Sequence, residues 1–289
     1  MVITDIGFIG TGVMGKSMAN NLIKAGFSLG IYTRTKEKAA SLLANGATWY
    51  DSPSLLAQKS SVIISMVGYP KDVESLYLGK NGILENAKAG TYIIDMTTSS
   101  PLLAKEIFAC AQAKNIESLD APVSGGDIGA RDAKLAIMVG GTKNAFNAML
   151  PVFNAMGTNI RYLGIAGAGQ YTKMCNQIAI ASNMMGVCES IAYAKKVGLD
   201  PTTVLETISS GAAGSWSLSN LAPRMICGDF APGFFVKHFI KDMKIAIDSA
   251  RAVNLVLPGL ELAEKLYEEL SANDGENYGT QALIKLFDK

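Results

Sequence analysis

Three glycines early in the chain have the spacing that lets a protein backbone approach a phosphate group. Residues 10–15 read GTGVMG, a G-x-G-x-x-G pattern that follows the apolar run 6–9 and opens a helical segment. Gly10 permits a tight turn, Gly12 leaves room for a pyrophosphate, and Gly15 lets the helix pack on the strand. The helix N-terminus adds free N–H groups and partial positive charge. A dinucleotide site is therefore predicted at residues 10–15, with Val13 and Met14 in its first helical turn; the alternative is a glycine-rich turn without a ligand.

The residues after the second predicted strand distinguish between the two nicotinamide dinucleotides. An NAD site usually has an acidic residue about 20 residues after the glycines, which binds the ribose 2′-hydroxyl. Residues 6–36 contain no Asp or Glu, and the strand ends instead in Thr33, Arg34, Thr35 and Lys36. These cationic and hydroxyl groups would bind a 2′-phosphate that a carboxylate would repel. We therefore expect NADP in preference to NAD; the alternative is that Arg34 and Lys36 are solvated residues at a helix start.

A lysine and two carboxamides share one face of a long apolar segment. Lys173, Asn176 and Gln177 stand at positions i, i+3 and i+4 within residues 170–196, which contain no proline and have apolar residues at helical spacing. Burial of an amine disfavours its charged form, which suits a proton donor or acceptor near neutral pH. The alternative is a lysine that extends from the first helical turn to solvent.

The segment 120–126, with the sequence DAPVSGG, follows a predicted strand at the carboxyl edge of the sheet. Ligands of doubly wound proteins bind at this edge. Consecutive N–H groups of Ser124, Gly125 and Gly126 can form a small nest for an anion. The alternative is an ordinary surface loop.

Alternating strands and helices must position these groups. Strands are predicted at residues 6–9, 29–32, 62–66, 92–95 and 135–139, with helical segments between them, including 14–25, 55–58 and 102–113. Because the strands are apolar on both faces, the expected fold class is α/β, with a doubly wound, mainly parallel sheet. After residue 163 only helical patterns of comparable quality follow, at 170–196, 201–209, 240–253 and 259–271. We place the domain boundary near residue 164, with a dinucleotide-binding domain at 1–164 and an all-helical domain at 165–289.

Composition limits the class of protein. The chain has 289 residues, a net charge of +1 and 49% hydrophobic residues, which suffices for two cores and offers no field that attracts nucleic acid. No apolar run approaches the ~18 residues of a membrane span, and the N-terminus lacks the basic region of a signal peptide. The four cysteines form no CxxC pair, and His238 is the single histidine, so no metal site is expected. A reducing, cytoplasmic compartment fits this cysteine usage.

Four motifs in order resemble the β-hydroxyacid dehydrogenase family, and the resemblance covers essentially the whole chain. They are residues 7–15, 120–126, 167–177 and 241–243. The segments GAAGSW at 211–216 and DFAPGF at 229–234 are most similar to the 3-hydroxyisobutyrate dehydrogenase and L-serine dehydrogenase branch. The glyoxylate and succinic semialdehyde reductases are the second candidate branch.

The resemblance implies a Rossmann domain joined by a long interdomain helix to a helical domain for substrate binding and dimerisation, with the active site in the cleft. It implies hydride transfer between NADP and a small carboxylate such as 3-hydroxyisobutyrate or L-serine, in a homodimer or homotetramer. By the same resemblance Lys173 is the general acid/base and Asn176 orients the substrate. The remaining implied contacts are, for the substrate, Ser124, Gly125, Gly126, Lys241 and Trp216, and, for the cofactor, Val67, Gly68, Thr97, Thr98 and Lys241.

Three residues depart from the family pattern or lie outside it. Many members have Leu-Pro where this chain has Val67-Gly68, which weakens the assignment of contacts there. His238 is not among the catalytic positions, and we expect it to be structural or to line the rim of the site.

Three rival classes share parts of this pattern. The 6-phosphogluconate dehydrogenases have the same fold but a much longer helical half, and the imine reductases would lack the lysine at position 173. A dinucleotide-sensing protein without catalysis is the non-enzymatic alternative. Retention of Ser124, Lys173, Asn176 and Lys241 argues against it.

Overall fold

A computed structural model describes residues 5–287 of the chain. It divides into two compact units, Met1–Lys173 and Met174–Lys289. The domain boundary that the sequence predicts near residue 164 stays a prediction.

A single sheet organises the first unit. Among residues 5–287 nine strands occur, with the order β3-β2-β1-β4-β5-β6-β8-β7 and with β9 paired to β8. Their bounds are β1 Asp5–Ile9, β2 Ser28–Tyr32, β3 Thr48–Trp49, β4 Val62–Ser65, β5 Tyr92–Asp95, β6 Glu117–Asp120, β7 Val123–Ser124, β8 Leu135–Gly141 and β9 Gly157–Gly164. The pairs β6/β8 and β7/β8 are antiparallel, and the other pairs are parallel. The predicted mainly parallel sheet is confirmed.

Helices cover both faces of this sheet. They are α1 Val13–Lys24, α2 Ala40–Ala44, α3 Pro53–Lys59, α4 Pro70–Leu78, α5 Ile83–Asn86, α6 Pro101–Gln112, α7 Gly126–Arg131 and α8 Lys143–Asn154, with a 3₁₀ turn at Lys36–Ala39. Successive strand residues enter different apolar layers: Ile64 and Ile94 pack in one cluster, and Ile63 and Ile93 in another. The strands are thus apolar on both faces, as a doubly wound sheet requires.

The second unit is helical. The helix α9 (Ala168–Lys196) begins in the first unit and continues through the second. The others are α10 Pro201–Ile208, α11 Trp216–Asn220, α12 Ala222–Ile226, α13 Val236–Arg251 and α14 Pro258–Leu270, followed by a π-type turn at Ser271–Gly275 and a 3₁₀ helix at Thr280–Leu286. Their apolar faces form a separate core around residues such as Met184, Phe239 and Tyr267.

Most of the predicted elements are confirmed within a few residues at each end. Three further strands were not predicted, and a fourth, β6, was expected before the 120–126 segment but without bounds. Two of them, β3 and β7, are only two residues long. The third, β9, is polar and half exposed at the sheet margin, so it lacks the apolar alternation of a buried strand. The fourth, β6, is largely buried, but its sequence ESLD contains two acidic residues and therefore lacks the apolar run of a buried strand. After Gly164 the described residues contain no strand, and no helix among them is both long and apolar enough to span a membrane.

Candidate active site

The glycine loop joins β1 to α1, and two of its glycines are required by close contacts. Gly10 has a φ of +97°, and a Cβ there would collide with the carbonyl oxygen of Met66. A Cβ on Gly15 would collide with the carbonyl oxygen of Gly10 and lie 3.2 Å from the Phe8 ring. A Cβ on Gly12 would meet no atom within 4 Å. Gly12 is therefore not needed for packing, and its small size keeps the surface of the loop open.

The start of α1 suits an anion. No side chain caps this helix, and its first turn contains no acidic residue. The hydroxyl of Thr11 is buried and has no hydrogen-bond partner among residues 5–287. A buried donor without a partner and a set of uncapped N–H groups fit the diphosphate of a dinucleotide.

The residues after β2 include one contact that the sequence did not predict. Arg34 has an 81% exposed side chain, and its Nη1 lies 3.6 Å from Oδ1 of Asp72 in the first turn of α4. The other Asp72 oxygen accepts a hydrogen bond of 3.1 Å from the Tyr69 amide. Asp72 is far from Arg34 in sequence, and only the pairing of β1 with both β2 and β4 brings the two together. A carboxylate thus stands beside the guanidinium predicted to select the cofactor.

The loops after β4 and β5 are joined by hydrogen bonds. The amide of Val67 donates to Oγ1 of Thr97 over 3.0 Å, and the amide of Thr97 donates to Oδ1 of Asp95 over 3.1 Å. Ser65 Oγ donates to the same Asp95 oxygen over 2.7 Å. Because β1, β2, β4 and β5 are parallel, their carboxyl ends share one edge of the sheet. The predicted cofactor residues 10–15, 33–35, 67–68 and 97–98 all follow these ends.

The carboxylate of Asp120, at the end of β6, caps the start of α9. Its two oxygens accept hydrogen bonds from the backbone amides of Gly167, over 2.7 Å, and Gln170, over 2.9 Å. The side chain of Gln170 in turn donates to the Thr97 carbonyl over 2.7 Å and accepts from the Ser99 amide over 2.9 Å. The first turn of α9 is therefore tied to the ends of two strands.

Burial shifts the proton affinity of Asp120. It raises the pKa of this carboxyl from 3.8 to about 6, and the negative charge of Asp95 adds to the rise. The two backbone N–H groups oppose this shift because they stabilise the charged form. Desolvation thus outweighs the hydrogen bonds.

Lys173 follows Gln170 in α9 and is 7% exposed. The lysine is therefore not the solvent-directed residue of the alternative interpretation.

The loop predicted to hold the substrate carboxylate begins at the end of a short strand. Ser124 lies in β7, opposite Ala136 of β8. Gly125 and Gly126 have φ values of +129° and +63° and lead into α7.

In the second unit a chain of polar contacts joins two predicted site residues. Asn176 Nδ2 donates to Gln177 Oε1 over 2.8 Å, and Gln177 Nε2 donates to Asp242 Oδ2 over 2.5 Å. Lys241 Nζ lies 2.8 Å from the other Asp242 oxygen. Asp242 is buried, so its carboxylate fixes both the carboxamide of Gln177 and the ammonium of Lys241.

Two further side chains of the second unit were singled out from the sequence. Trp216 begins α11 and is 64% exposed. His238 lies in α13, and its pKa is lowered by burial and by the neighbouring positive charge of Lys241.

The sequence is similar to known dehydrogenases along its whole length. A family model described as the NAD-binding domain of 6-phosphogluconate dehydrogenase matches residues 5–164. A second, described as NAD-binding of NADP-dependent 3-hydroxyisobutyrate dehydrogenase, matches residues 167–287. The chain is 60% identical to an uncharacterized oxidoreductase of Bacillus subtilis, over 98% of this chain and 99% of that one. The chain belongs to the β-hydroxyacid dehydrogenase family.

Two other proteins indicate the branch of the family to which the chain belongs. The 2-hydroxy-3-oxopropionate reductase of Escherichia coli is 37% identical, with 97% of this chain and 96% of that protein covered. The solved structure of Mycobacterium tuberculosis 3-hydroxyisobutyrate dehydrogenase with L-serine has a TM-score of 0.92 and 30% identity, and covers 100% of both chains. This β-hydroxyacid dehydrogenase is therefore of the 3-hydroxyisobutyrate dehydrogenase-like branch, as the sequence motifs indicated.

Family membership sets the general chemistry. The dehydrogenase is an NAD(P)-dependent oxidoreductase that acts on CH–OH groups. Among residues 5–287 no group of three or more His, Cys, Asp or Glu side chains has the arrangement of a metal site.

Gly12→Ala and Gly15→Ala separate the two roles of the glycine loop. At Gly12 the new methyl meets no protein atom, so we expect an unchanged thermal midpoint and a dissociation constant for NADPH raised about tenfold or more. At Gly15 the methyl collides with a backbone carbonyl, so the free energy of unfolding should fall by about 1–3 kcal/mol. Thermal unfolding and fluorescence titration measure the two effects. Wild-type NADPH affinity in Gly12→Ala would contradict the assignment of the loop.

Asp120 predicts a pH dependence of stability. Its pKa is about 6 in the folded protein and near 3.8 in the unfolded chain, so between about pH 4 and 6 the folded state holds a proton that the unfolded state has released. The free energy of unfolding should therefore fall as the pH rises through this window, by about 3 kcal/mol from this group. Urea unfolding at several pH values measures the slope. Asp120→Asn should remove that contribution, and equal slopes in the two proteins would show that Asp120 does not titrate there.

Proposed function

We propose that the protein is an NADP-dependent dehydrogenase of small β-hydroxy acids, with Lys173 as its general acid/base. The observation that carries this proposal is the burial of the Lys173 side chain. It follows directly after the first turn of a helix, and in that turn Gln170 is bonded to Thr97 and Ser99. A buried amine at the carboxyl edge of a doubly wound sheet suits proton transfer better than it suits packing. The carboxyl edge is also where the predicted cofactor residues gather.

The cofactor assignment rests on charge. Arg34, with Thr33 and Thr35, provides donors for a 2′-phosphate, and no acidic residue precedes them from residue 6 onwards. The diphosphate would lie at the N-terminus of α1, over Gly12, Val13 and Met14. Val67, Gly68, Thr97 and Thr98 would line the nicotinamide side. The chemistry that NADP supplies when bound is hydride transfer to and from its nicotinamide ring.

Lys173 moves the proton that accompanies the hydride. In oxidation, neutral Nζ takes the proton of the substrate hydroxyl; the C–H bond breaks with loss of hydride, and the O–H electron pair forms the carbonyl. In reduction, the ammonium donates its proton to the carbonyl oxygen. The lysine thus stabilises the charge that develops on this oxygen.

The remaining residues hold the substrate in place. Ser124, Gly125 and Gly126 would bind its carboxylate, Asn176 would orient it, and Lys241 would contact both substrate and cofactor. Trp216 would contact the substrate from α11. Positioning of this kind contributes several kcal/mol to the lowering of a barrier. Substrates of the size of 3-hydroxyisobutyrate and L-serine fit these roles, and the M. tuberculosis relative was solved with L-serine.

A second candidate function is the NADPH-dependent reduction of small aldehyde acids such as glyoxylate or succinic semialdehyde. The E. coli relative named as a 2-hydroxy-3-oxopropionate reductase favours it. Both functions use the same proton transfer by Lys173, and they differ in substrate and direction. We also propose that the chain forms a homodimer or homotetramer, which would bury the exposed apolar residues Tyr193, near the end of α9, and Val197, just after it.

Lys173→Ala tests the proposed catalyst. We expect NADPH to bind almost normally and kcat to fall by roughly 10² or more, because the variant has no group to exchange a proton with the substrate. The substrate comes from an absorbance screen of wild-type protein over β-hydroxy acids and aldehyde acids, with NADP(H) and NAD(H) in parallel. Lys196→Ala, at the exposed end of the same helix, is the matched control and should keep the wild-type kcat.

Two outcomes would contradict this function. Wild-type kcat in Lys173→Ala would remove the lysine from the mechanism. Dinucleotide binding with no turnover of any compound in the screen would instead favour a sensing protein.

Arg34→Asp tests the cofactor. A carboxylate at this position would repel the 2′-phosphate, so the dissociation constant of NADPH should rise far more than that of NADH, by about tenfold or more. Arg161→Asp, on β9, reverses a charge away from the glycine loop and should change neither constant. Equal weakening of both dinucleotides in Arg34→Asp would show that the guanidinium does not meet the phosphate.

A further inference from the structure

We propose that Asp120 and Gln170 are positioning residues that hold the first turn of α9, and with it Lys173, in register with the loop after β5. The inference rests on the proposed role of Lys173 as acid/base. It concerns residues that need not touch substrate or cofactor and that act through the lysine.

The cap on α9 differs in origin from those on other helices of the chain. In α3, α6, α8 and α11 the capping oxygen comes from the residue directly before the helix, as Ser52 illustrates for α3. In α9 the oxygens come from Asp120, on a strand distant in sequence, and they accept from Gly167 and Gln170. A local cap only begins a helix, whereas this one also fixes the helix start to the sheet.

Close packing leaves the Asp120 carboxylate little freedom. A Cβ on Gly140 would lie 2.5 Å from Asp120 Oδ1 and 2.8 Å from the Gly169 amide. A Cβ on Gly169 would lie 2.6 Å from the Asp120 carbonyl oxygen. Glycine at both positions lets the helix start approach β6 and β8 more closely than any side chain allows.

Gln170 adds a second attachment in the same turn. Its carboxamide donates to the Thr97 carbonyl and accepts from the Ser99 amide, so it spans the loop after β5 with both ends of one planar group. Thr97 in turn accepts from the Val67 amide. The turn that precedes Lys173 is thereby linked to the ends of β4, β5 and β6.

These attachments have a consequence for catalysis. Lys173 follows Gln170 by less than one helical turn, so rotation or fraying of that turn displaces the amine. The loop that holds Thr97 and Thr98 would move independently of the lysine if the carboxamide link were lost. A misplacement of about 1 Å can lower a rate by about 10²-fold without loss of binding.

Asp120→Asn and Gln170→Met test the inference, with Ser52→Ala as the control. The asparagine amide cannot accept from one of the two N–H groups, and methionine cannot bridge Thr97 and Ser99. We expect kcat to fall about tenfold or more in each variant, with the NADPH dissociation constant within about threefold of wild type. Hydrogen exchange in peptides that cover residues 165–173 should become faster. Ser52→Ala loses the cap of α3, which has no site residue, and should keep wild-type kcat and exchange in that segment.

The outcomes separate this inference from the proposed function. A kcat within twofold of wild type in both variants, despite faster exchange at 165–173, would overturn the positioning role. A loss of kcat without any change in exchange would overturn it as well, because the turn would then not be what the residues hold. If Asp120→Asn does not fold, Gln170→Met alone decides. A failure of the proposed function has a different signature, which is a wild-type kcat in the Lys173→Ala variant.

Discussion

A carboxylate withdrawn from water at the end of β6 organises the part of the molecule on which the proposed chemistry depends. Asp120 loses hydration and gains hydrogen bonds from two backbone N–H groups at the start of α9. Its pKa is raised because these hydrogen bonds do not fully replace the lost hydration of the charged form. An unpaired carboxylate at this depth would be far more costly, so the helix start and the strand end require each other. We infer that this contact of Asp120 with the start of α9 positions the buried Lys173.

The two units place their polar groups by the same physical means. In the first, Asp95 and Asp120 order the loops that follow adjacent strands. In the second, Asp242 orders Gln177 and Lys241. Each carboxylate is buried and accepts hydrogen bonds or an ion pair, which holds donors at fixed angles in surroundings of low dielectric constant. Side chains held in this way suit a reaction in which a hydride leaves a carbon atom and a proton leaves the oxygen bonded to that carbon.

The sequence predicted the architecture well because hydrophobic periodicity and glycine spacing are local signals. The strand at residues 62–66 and the helix at 170–196 were confirmed as β4 and α9, and the family inferred from four ordered motifs was confirmed by relatives over the whole chain. The short or polar strands β3, β7 and β9 were not predicted, and β6 was expected before residues 120–126 only without bounds. Their stability comes from pairing with neighbours, which no local pattern records.

The roles of the candidate site residues stay predictions, and the contacts that hold these residues in place were not predicted. Lys173, Ser124 and Arg34 stand in motifs, but the groups beside such residues come from distant parts of the chain. Asp72 of α4 lies beside Arg34, and Asp120 at the end of β6 accepts from the Gln170 amide at the start of α9. The most direct measurement of the central claim is a crystal structure of the protein with NADP and a substrate acid. The account predicts Lys173 Nζ within about 3 Å of the substrate hydroxyl oxygen. A lysine nitrogen turned to bulk solvent, out of hydrogen-bond reach of the substrate, would contradict it.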